Sequence, residues 1–249
     1  KPPPGDLARL AEQSENASKR RWMRLRIDPA DSRKATDPFS IAVGGGVRLS
    51  EPAKEFCSRV DNLEEKQQLE YFGHYRMEFI SSAWLTVIAI ELVIKASLKI
   101  RGVQYDKIHN SLELFSLLPE SDKYRIEKCY SKFSEELGVG TIFTLVHWPK
   151  GFEPSEEESK PGDRLYDNLT DLLTCCEGWQ VRLRYTYELE EVSGIWREDL
   201  PLGKLVRALD ALALILMGAD EEYIDQIVRA GKRQGSDESS ENQVTEVGK

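Results

Sequence analysis

Apolar residues recur every three or four positions along most of this chain, which is the spacing of amphipathic helices. The clearest case is residues 75–100, where apolar side chains surround nearly the whole predicted helix. A helix with this pattern lies at the centre of a bundle, covered by its neighbours. Spacing and composition predict further helices at residues 7–25, 53–71, 121–137, 163–191, 201–218 and 220–231, and a short one that opens at Asn110.

Glycines mark the predicted breaks between these helices. Gly73 precedes the central helix, Gly102 ends it as a C-terminal cap, and Gly178 weakens a later helix without necessarily breaking it. A glycine triplet within residues 41–49 predicts two short extended pieces or a linker packed on the body. Residues 141–148 are β-branched and aromatic, so they predict either a strand or an extended connector.

Within residues 51–231, four or five long amphipathic helices with a single strand candidate indicate an all-α fold. We predict a four- to five-helix up-down bundle with an N-terminal helical arm and a disordered C-terminal tail. Residues 1–50 form the basic arm helix and a linker containing glycine and proline, 51–231 the bundle, and 232–249 the tail. Gly231 ends the ordered part, because residues 235–249 have almost no apolar content.

Charge is distributed unevenly along the chain. The formal net charge of −9 argues against a general nucleic-acid coat, because phosphate binding needs a positive field. The first 34 residues nevertheless carry nine basic and five acidic side chains. The densest basic stretch surrounds one tryptophan and consists of Lys19, Arg20, Arg21, Arg24 and Arg26. This arm either faces phosphates or forms an amphipathic helix that pairs with the acidic body.

Targeting and redox signals indicate a cytoplasmic protein. The apolar stretch 83–96 is interrupted by Glu91 and Lys95, and the stretch 208–217 is only ten residues long, so we predict no membrane span. The chain has no basic-then-apolar secretory signal, and the missing initiator methionine indicates a trimmed start. The cysteines form a poor disulfide framework and favour a reducing compartment: Cys57, Cys129 and the adjacent Cys175 and Cys176.

Several kinds of site are disfavoured by residue spacing. The three histidines are scattered, and neither a Cys-x-x-Cys pair nor two histidines four apart on a helix occur, so we predict no metal or cofactor. The glycine triplet lacks the lysine and serine or threonine of a phosphate-binding loop. A Gly-x-Ser-x-Gly nucleophile motif is also missing.

A carboxylate on the main apolar stripe of the central helix is the first candidate site residue. Burying Glu91 without a partner would cost several kcal/mol, and Lys95 lies one turn later to pair with it. Glu91 is satisfied either by such a local ion pair, or by a tyrosine or arginine of a facing helix, or by lining a polar cleft.

Two further segments carry candidate binding residues. Arg184 and Glu188 are four apart, so they can pair along a helix, and Tyr185 offers a flat face for a base. This segment lines a polar pocket or forms an ordinary bundle surface. His109 lies just before Asn110, which with Glu113 resembles a capping box at a helix start.

The stretch from Ala89 to Leu98, followed by Lys107, His109 and Asn110, resembles the HEPN superfamily of higher eukaryote and prokaryote nucleotide-binding helical domains. The Arg184-Tyr-Thr-Tyr-Glu188 segment is similar to one found in a subset of its members. The resemblance implies a bundle that is commonly dimeric and that occurs in bacterial toxin–antitoxin and phage-exclusion systems. It implies binding to RNA, a nucleotide or a protein, with Glu91, Lys95, His109, Arg184, Tyr185 and Glu188 around a cleft.

Catalytic members of that superfamily are metal-independent ribonucleases that use an arginine and a later histidine with four to six residues between them. Here Arg101 and His109 are separated by seven residues. In a catalytic version, His109 would be the general base on a ribose 2′-hydroxyl and Arg101 the clamp on the phosphate. The same position suits a histidine that simply caps a helix. A purely structural bundle whose basic arm docks a protein partner is the third hypothesis.

Overall fold

The computed structural model describes residues 38–61, 63–105, 107–137, 142–147, 166–179 and 196–241. Within these ranges the chain is predominantly helical, which confirms the predicted all-α class. The helices are α1 (Pro38–Leu49), α2 (Glu51–Val60), α3 (Glu65–Ile100), α4 (Ser111–Ser116), α5 (Glu120–Leu137), α6 (Leu169–Cys175), α7 (Leu202–Leu216) and α8 (Glu221–Glu241). Two strands, β1 (Phe143–His147) and β2 (Trp196–Leu200), pair with each other.

The centre of the bundle is formed by α3 and α7. Every residue of α7 is buried, and α3 packs against α1, α2, α4 and α7. The nearly all-round apolar pattern of α3 therefore reflects burial on several sides, as the sequence predicts. By length and composition, residues Glu70–Ile100 could cross a membrane, and this segment is longer than the apolar stretch 83–96 seen in the sequence. However, 61% of its apolar window is buried inside the protein.

The junction between α2 and α3 differs from the prediction. The chain turns after Val60, and Glu64 caps α3 reciprocally with Gln67, whose Oε1 accepts from the Glu64 backbone N–H at 3.0 Å. The helix then continues through Gly73, so the predicted break there is wrong. A kink at Tyr75, with φ −110° and ψ 24°, is the only trace of it within α3.

Residues 41–49 are helical, so the prediction of extended pieces around a glycine triplet is wrong. Gly46 lies where α1 crosses α3: a Cβ there would come within 2.8 Å of Val93 Cγ2 and 3.3 Å of the Ala89 carbonyl oxygen. The glycine therefore permits close backbone approach between two helices. Because α1 packs on α3 and α7, the boundary predicted at residue 50 falls between two helices of one bundle.

The strand candidate at 141–148 proves to be β1, which pairs antiparallel with β2 from Phe143 opposite Leu200 to His147 opposite Trp196. The sequence did not predict β2. The helix predicted over 163–191 is interrupted, since α6 spans Leu169–Cys175 and Gly178 adopts a left-handed φ of +76°. Residues 163–165 and 180–191 of that prediction lie outside the described ranges.

The C-terminal helix is longer than predicted. Gly231 lies inside α8, where a Cβ would come within 2.6 Å of Leu137 Cδ2, so this glycine serves the contact with α5 and does not end the helix. The helix runs on to Glu241, and the tail predicted to be disordered is therefore helical up to that residue. Residues 242–249 lie outside the described ranges.

Candidate functional site

The predicted pair on the central helix is confirmed. Lys95 Nζ donates to Glu91 Oε1 at 2.6 Å, one helical turn away. The Glu91 side chain is only 10% exposed, as expected for a residue on the core-facing stripe of α3. The local ion pair thus partly satisfies a carboxylate that would otherwise be buried at high cost.

His109 reaches the same carboxylate from a different part of the chain. Its Nδ1 lies 3.0 Å from Glu91 Oε1 and 3.5 Å from Lys95 Nζ. The His109 side chain is 73% exposed, so it lies at the solvent edge of the site. Two basic groups from separate elements therefore share one carboxylate oxygen. We call Glu91, Lys95 and His109 the Glu91 cluster.

The connection between α3 and α4 places His109. Gly102 ends α3 with φ +68°, and the Val103 N–H returns to the Leu98 carbonyl at 3.0 Å, which confirms the predicted glycine cap. Lys107 adopts an unusual positive φ of 65°, where the chain reverses before α4. Tyr105, in the same connection, places its ring centroid 5.9 Å from Lys95 Nζ.

Asn110 is the cap of α4, which corrects the interpretation of His109 as a capping residue. The Asn110 side chain accepts from the backbone N–H groups of Leu112 at 2.9 Å and Glu113 at 3.1 Å. Its amide also donates to Glu177 Oε1 at 3.0 Å, just beyond α6. A third element therefore meets the edge of the Glu91 cluster.

Arg101, the predicted phosphate clamp, makes other contacts. Its guanidinium binds Ser97 one turn back and Asp122 Oδ2 at 2.6 Å, at the start of α5. The two members of the predicted catalytic pair thus have different partners, because His109 contacts Glu91 and Lys95.

The other predicted binding residues lie outside the described ranges. These are Arg184, Tyr185 and Glu188, together with the arm residues Lys19, Arg20, Arg21, Arg24 and Arg26. Of the predicted binding segments, the structure therefore places the α3 pair and His109 together.

The Glu91 cluster combines an anion, a compact cation and an imidazole. A carboxylate that is hydrogen-bonded to Nδ1 fixes the orientation of the imidazole ring. Nε2 is then the ring nitrogen left for exchanging a proton. The lysine can attract an anionic oxygen. Such a set can bind phosphate or move a proton. In the part of the chain that is described, no group of three or more His, Cys, Asp or Glu side chains is arranged to hold a metal ion.

A second set of charges was missed from the sequence. Lys54 Nζ donates to Asp210 Oδ1 at 3.0 Å, with both side chains 1% exposed, and Arg207 is fully buried on the same helix as Asp210. Burial raises the pKa of Asp210, while Lys54 and Arg207 oppose that rise. We call these three residues the core charge set. The sequence signal was three charged residues at intervals of three in the leucine-rich α7, namely Lys204, Arg207 and Asp210.

Comparison with models of protein families, with curated proteins and with solved structures gives no match for this chain.

Proposed function

We propose that this chain is a HEPN-like helical module that binds RNA or a nucleotide through the Glu91 cluster, with little or no catalysis. The observation that carries the proposal is the 3.0 Å contact between His109 Nδ1 and Glu91 Oε1. It brings the two halves of the motif resemblance, on α3 and before α4, to one solvent-exposed edge.

A purely structural role explains the cluster less well. Lys95 already pairs with the Glu91 carboxylate at 2.6 Å, and Asn110 already caps α4. His109 is 73% exposed and contributes little burial, so neither core packing nor capping accounts for its place. An exposed imidazole beside a lysine is instead typical of surfaces that bind anions.

The biological setting belongs to the same proposal: a bacterial cytoplasmic defence or toxin–antitoxin system, with the chain acting as a homodimer. Large apolar side chains exposed along α3 support a second copy covering this helix, namely Met77, Leu92 and Ile100. Light scattering of Leu92→Glu tests this point, since a charge there should shift a dimer toward monomer. A monomeric wild-type chain at high concentration would remove the dimer from the proposal.

The test of binding is a titration with short RNAs and nucleotides at low and raised salt. We expect saturable binding that weakens with salt, because phosphate contacts release counterions. Lys95→Gln should weaken binding about tenfold. The matched control is Lys128→Gln, which also breaks one lysine–glutamate pair, on α5 and α8.

Other outcomes of the same experiment decide between hypotheses. Saturable binding that is unchanged in Lys95→Gln would contradict the assignment of the site. If RNA and nucleotides do not bind but a pull-down captures a specific protein, the chain is a protein-interaction bundle. If the chain binds neither RNA, nor a nucleotide, nor a specific protein, the proposal as a whole is contradicted.

A metal-independent endoribonuclease is the second candidate function, and the carboxylate–imidazole contact favours it. Glu91 orients His109 as a general base that would accept the 2′-hydroxyl proton of RNA. Arg101 is held by Asp122, so Lys95 is the cation beside the imidazole. This candidate predicts RNA cleavage that persists with a chelator and is lost in His109→Ala. Equal cleavage by His109→Ala would exclude it.

A further inference from the structure

Two donors of the Glu91 cluster converge on a single oxygen atom. Lys95 Nζ and His109 Nδ1 lie 2.6 Å and 3.0 Å from Glu91 Oε1, and 3.5 Å from each other. They approach from a helix and from a separate connection, so the carboxylate oxygen is held from two directions. A geometry that holds a carboxylate oxygen also suits a phosphate oxygen, which accepts the same charge-assisted hydrogen bonds.

Exposure increases in order from the carboxylate outward. The side chains of Glu91, Lys95 and His109 are 10%, 18% and 73% exposed, respectively. A molecule arriving from solvent therefore meets His109 first, then Lys95, and Glu91 last. The lysine ammonium has three N–H donors, of which one is directed to Glu91 Oε1, so an incoming acceptor can share the same cation.

Along the end of α3 and the connection to α4, basic side chains outnumber acidic ones. Residues 91–109 contain four basic and two acidic side chains. Lys99 is exposed one turn beyond Lys95 on α3, and Lys107 is exposed two residues before His109. Carboxylates among the described neighbours oppose them: Asp122 pairs with Arg101, Glu177 accepts from Asn110, and Glu113 is exposed on α4.

Nucleobase recognition fits the cluster less well. Reading a base edge needs donors and acceptors at a fixed spacing. The acceptor here is the Glu91 carboxylate, the least exposed group of the cluster, and its Oε1 is already shared by two donors. The outward groups, an ammonium and an imidazole, match phosphate chemistry instead.

We propose that Lys95 and His109 form a phosphate subsite, in which a phosphate oxygen takes the place of Glu91 Oε1 between them. Glu91 then acts as a built-in competitor that holds both groups in position and keeps the affinity moderate. This inference rests on the proposed function and names the part of the RNA or nucleotide that the site recognises.

The test is Glu91→Gln, which keeps the side-chain shape and a hydrogen-bond acceptor but removes the competing charge. Affinity for an oligoribonucleotide of eight uridines should rise about three- to tenfold. Ribose 5-phosphate should compete with the oligonucleotide, whereas uridine should not. Adding Lys95→Gln to Glu91→Gln should abolish the gain. The matched control is Glu78→Gln, since Glu78 pairs with Arg59 elsewhere on the surface.

Lower affinity in Glu91→Gln, or competition by uridine as strong as that by ribose 5-phosphate, would overturn the phosphate subsite while leaving RNA binding intact. Lack of oligonucleotide binding by both the wild-type chain and Glu91→Gln at low salt would overturn the proposed function as well. If Glu91→Gln does not fold, the phosphate subsite is tested by adding inorganic phosphate to the wild-type chain. It should shift the NMR ring signals of His109 and not those of exposed His74, and the reverse pattern would overturn the subsite.

Discussion

Glu91 and Asp210 are both carboxylates set among the apolar residues of long helices, and both contact a lysine. The Lys54–Asp210 pair is 1% exposed on both sides and joins α2 to α7 in the core. The Glu91–Lys95 pair lies within one helix, and the histidine that contacts it, His109, is 73% exposed to solvent. Position on a helical stripe is similar in the two cases, so access to solvent is what separates the structural pair in the core from the pair proposed to bind a ligand.

The physical consequences of the two arrangements differ. Breaking a sealed ion pair leaves one charge without water or a partner, which is strongly destabilising. Breaking a partly exposed pair lets water replace the lost contact, so the cost to folding is small. The core charge set should therefore respond in stability, and the Glu91 cluster in binding.

The largest expected contrast is in thiol reactivity, which reports access to solvent directly. Burial raises the pKa of Cys57, near Arg207, well above its usual value, whereas Cys175 is half-buried. Alkylation of the native protein at neutral pH should label Cys57 at least about a thousandfold more slowly than in denaturant, because exposure requires unfolding. Peptide mapping by mass spectrometry measures this. Equally fast labelling of Cys57 and Cys175 would show that the core charge set is open to solvent.

Removal of one core charge should give the next largest effect. Asp210→Ala leaves Lys54 buried without its carboxylate and should lower the free energy of unfolding by about 3–5 kcal/mol. Urea denaturation followed by circular dichroism measures the change. The combined Lys54→Met and Asp210→Leu replacements should recover most of the loss. A loss below about 1 kcal/mol in Asp210→Ala would mean that the pair is not sealed.

The corresponding change in the Glu91 cluster should hardly affect folding. Lys95→Gln should change the free energy of unfolding by about 1 kcal/mol or less, because its partner carboxylate keeps an amide donor and solvent nearby. The same urea experiment applies. A decrease in the free energy of unfolding as large as that of Asp210→Ala would show that the Glu91 cluster has a structural role like that of the core charge set.

The smallest effect is expected for the ion pairs at the surface between α5 and α8. Lys128 and Lys132 hold the pKa values of Glu221 and Asp225 below their usual range. These pairs therefore contribute above the unfolded-state pKa, and the contribution is lost as pH falls through the lowered folded-state values. The small difference in melting temperature between wild type and Lys128→Gln should shrink toward pH 3 and in high salt. A difference that grew with acidity would contradict this sign.

The sequence predicted the parts of the fold and site that depend on local spacing. Glu91 and Lys95 are four residues apart on one helix, so their pairing follows from helical geometry. Contact between His109 and Glu91 does not, because the left-handed residues Gly102 and Lys107 direct the connection that returns His109 to α3. The likeness to a known motif suggested that these residues belong together but not how they meet.

Long-range packing explains most of what was wrong or missed. Lys54 and Asp210 are 156 residues apart, and nothing in either local pattern indicates the other. The glycine triplet predicts extended pieces or a linker and not a helix, because the surface on α3 that Gly46 approaches, around Val93, is distant in the chain. The strand β2 likewise depends on pairing with β1, about fifty residues earlier.

The most direct test of the account is the affinity of His109→Ala for a short oligoribonucleotide at low salt, measured by fluorescence anisotropy. The control is His74→Ala, which changes an exposed histidine of α3 away from the Glu91 cluster. We predict that His109→Ala loses about tenfold or more in affinity while its free energy of unfolding changes by no more than about 0.5 kcal/mol, and that His74→Ala binds like the wild type. Equal affinity of His109→Ala and the wild type would contradict the assignment of the Glu91 cluster as the binding site.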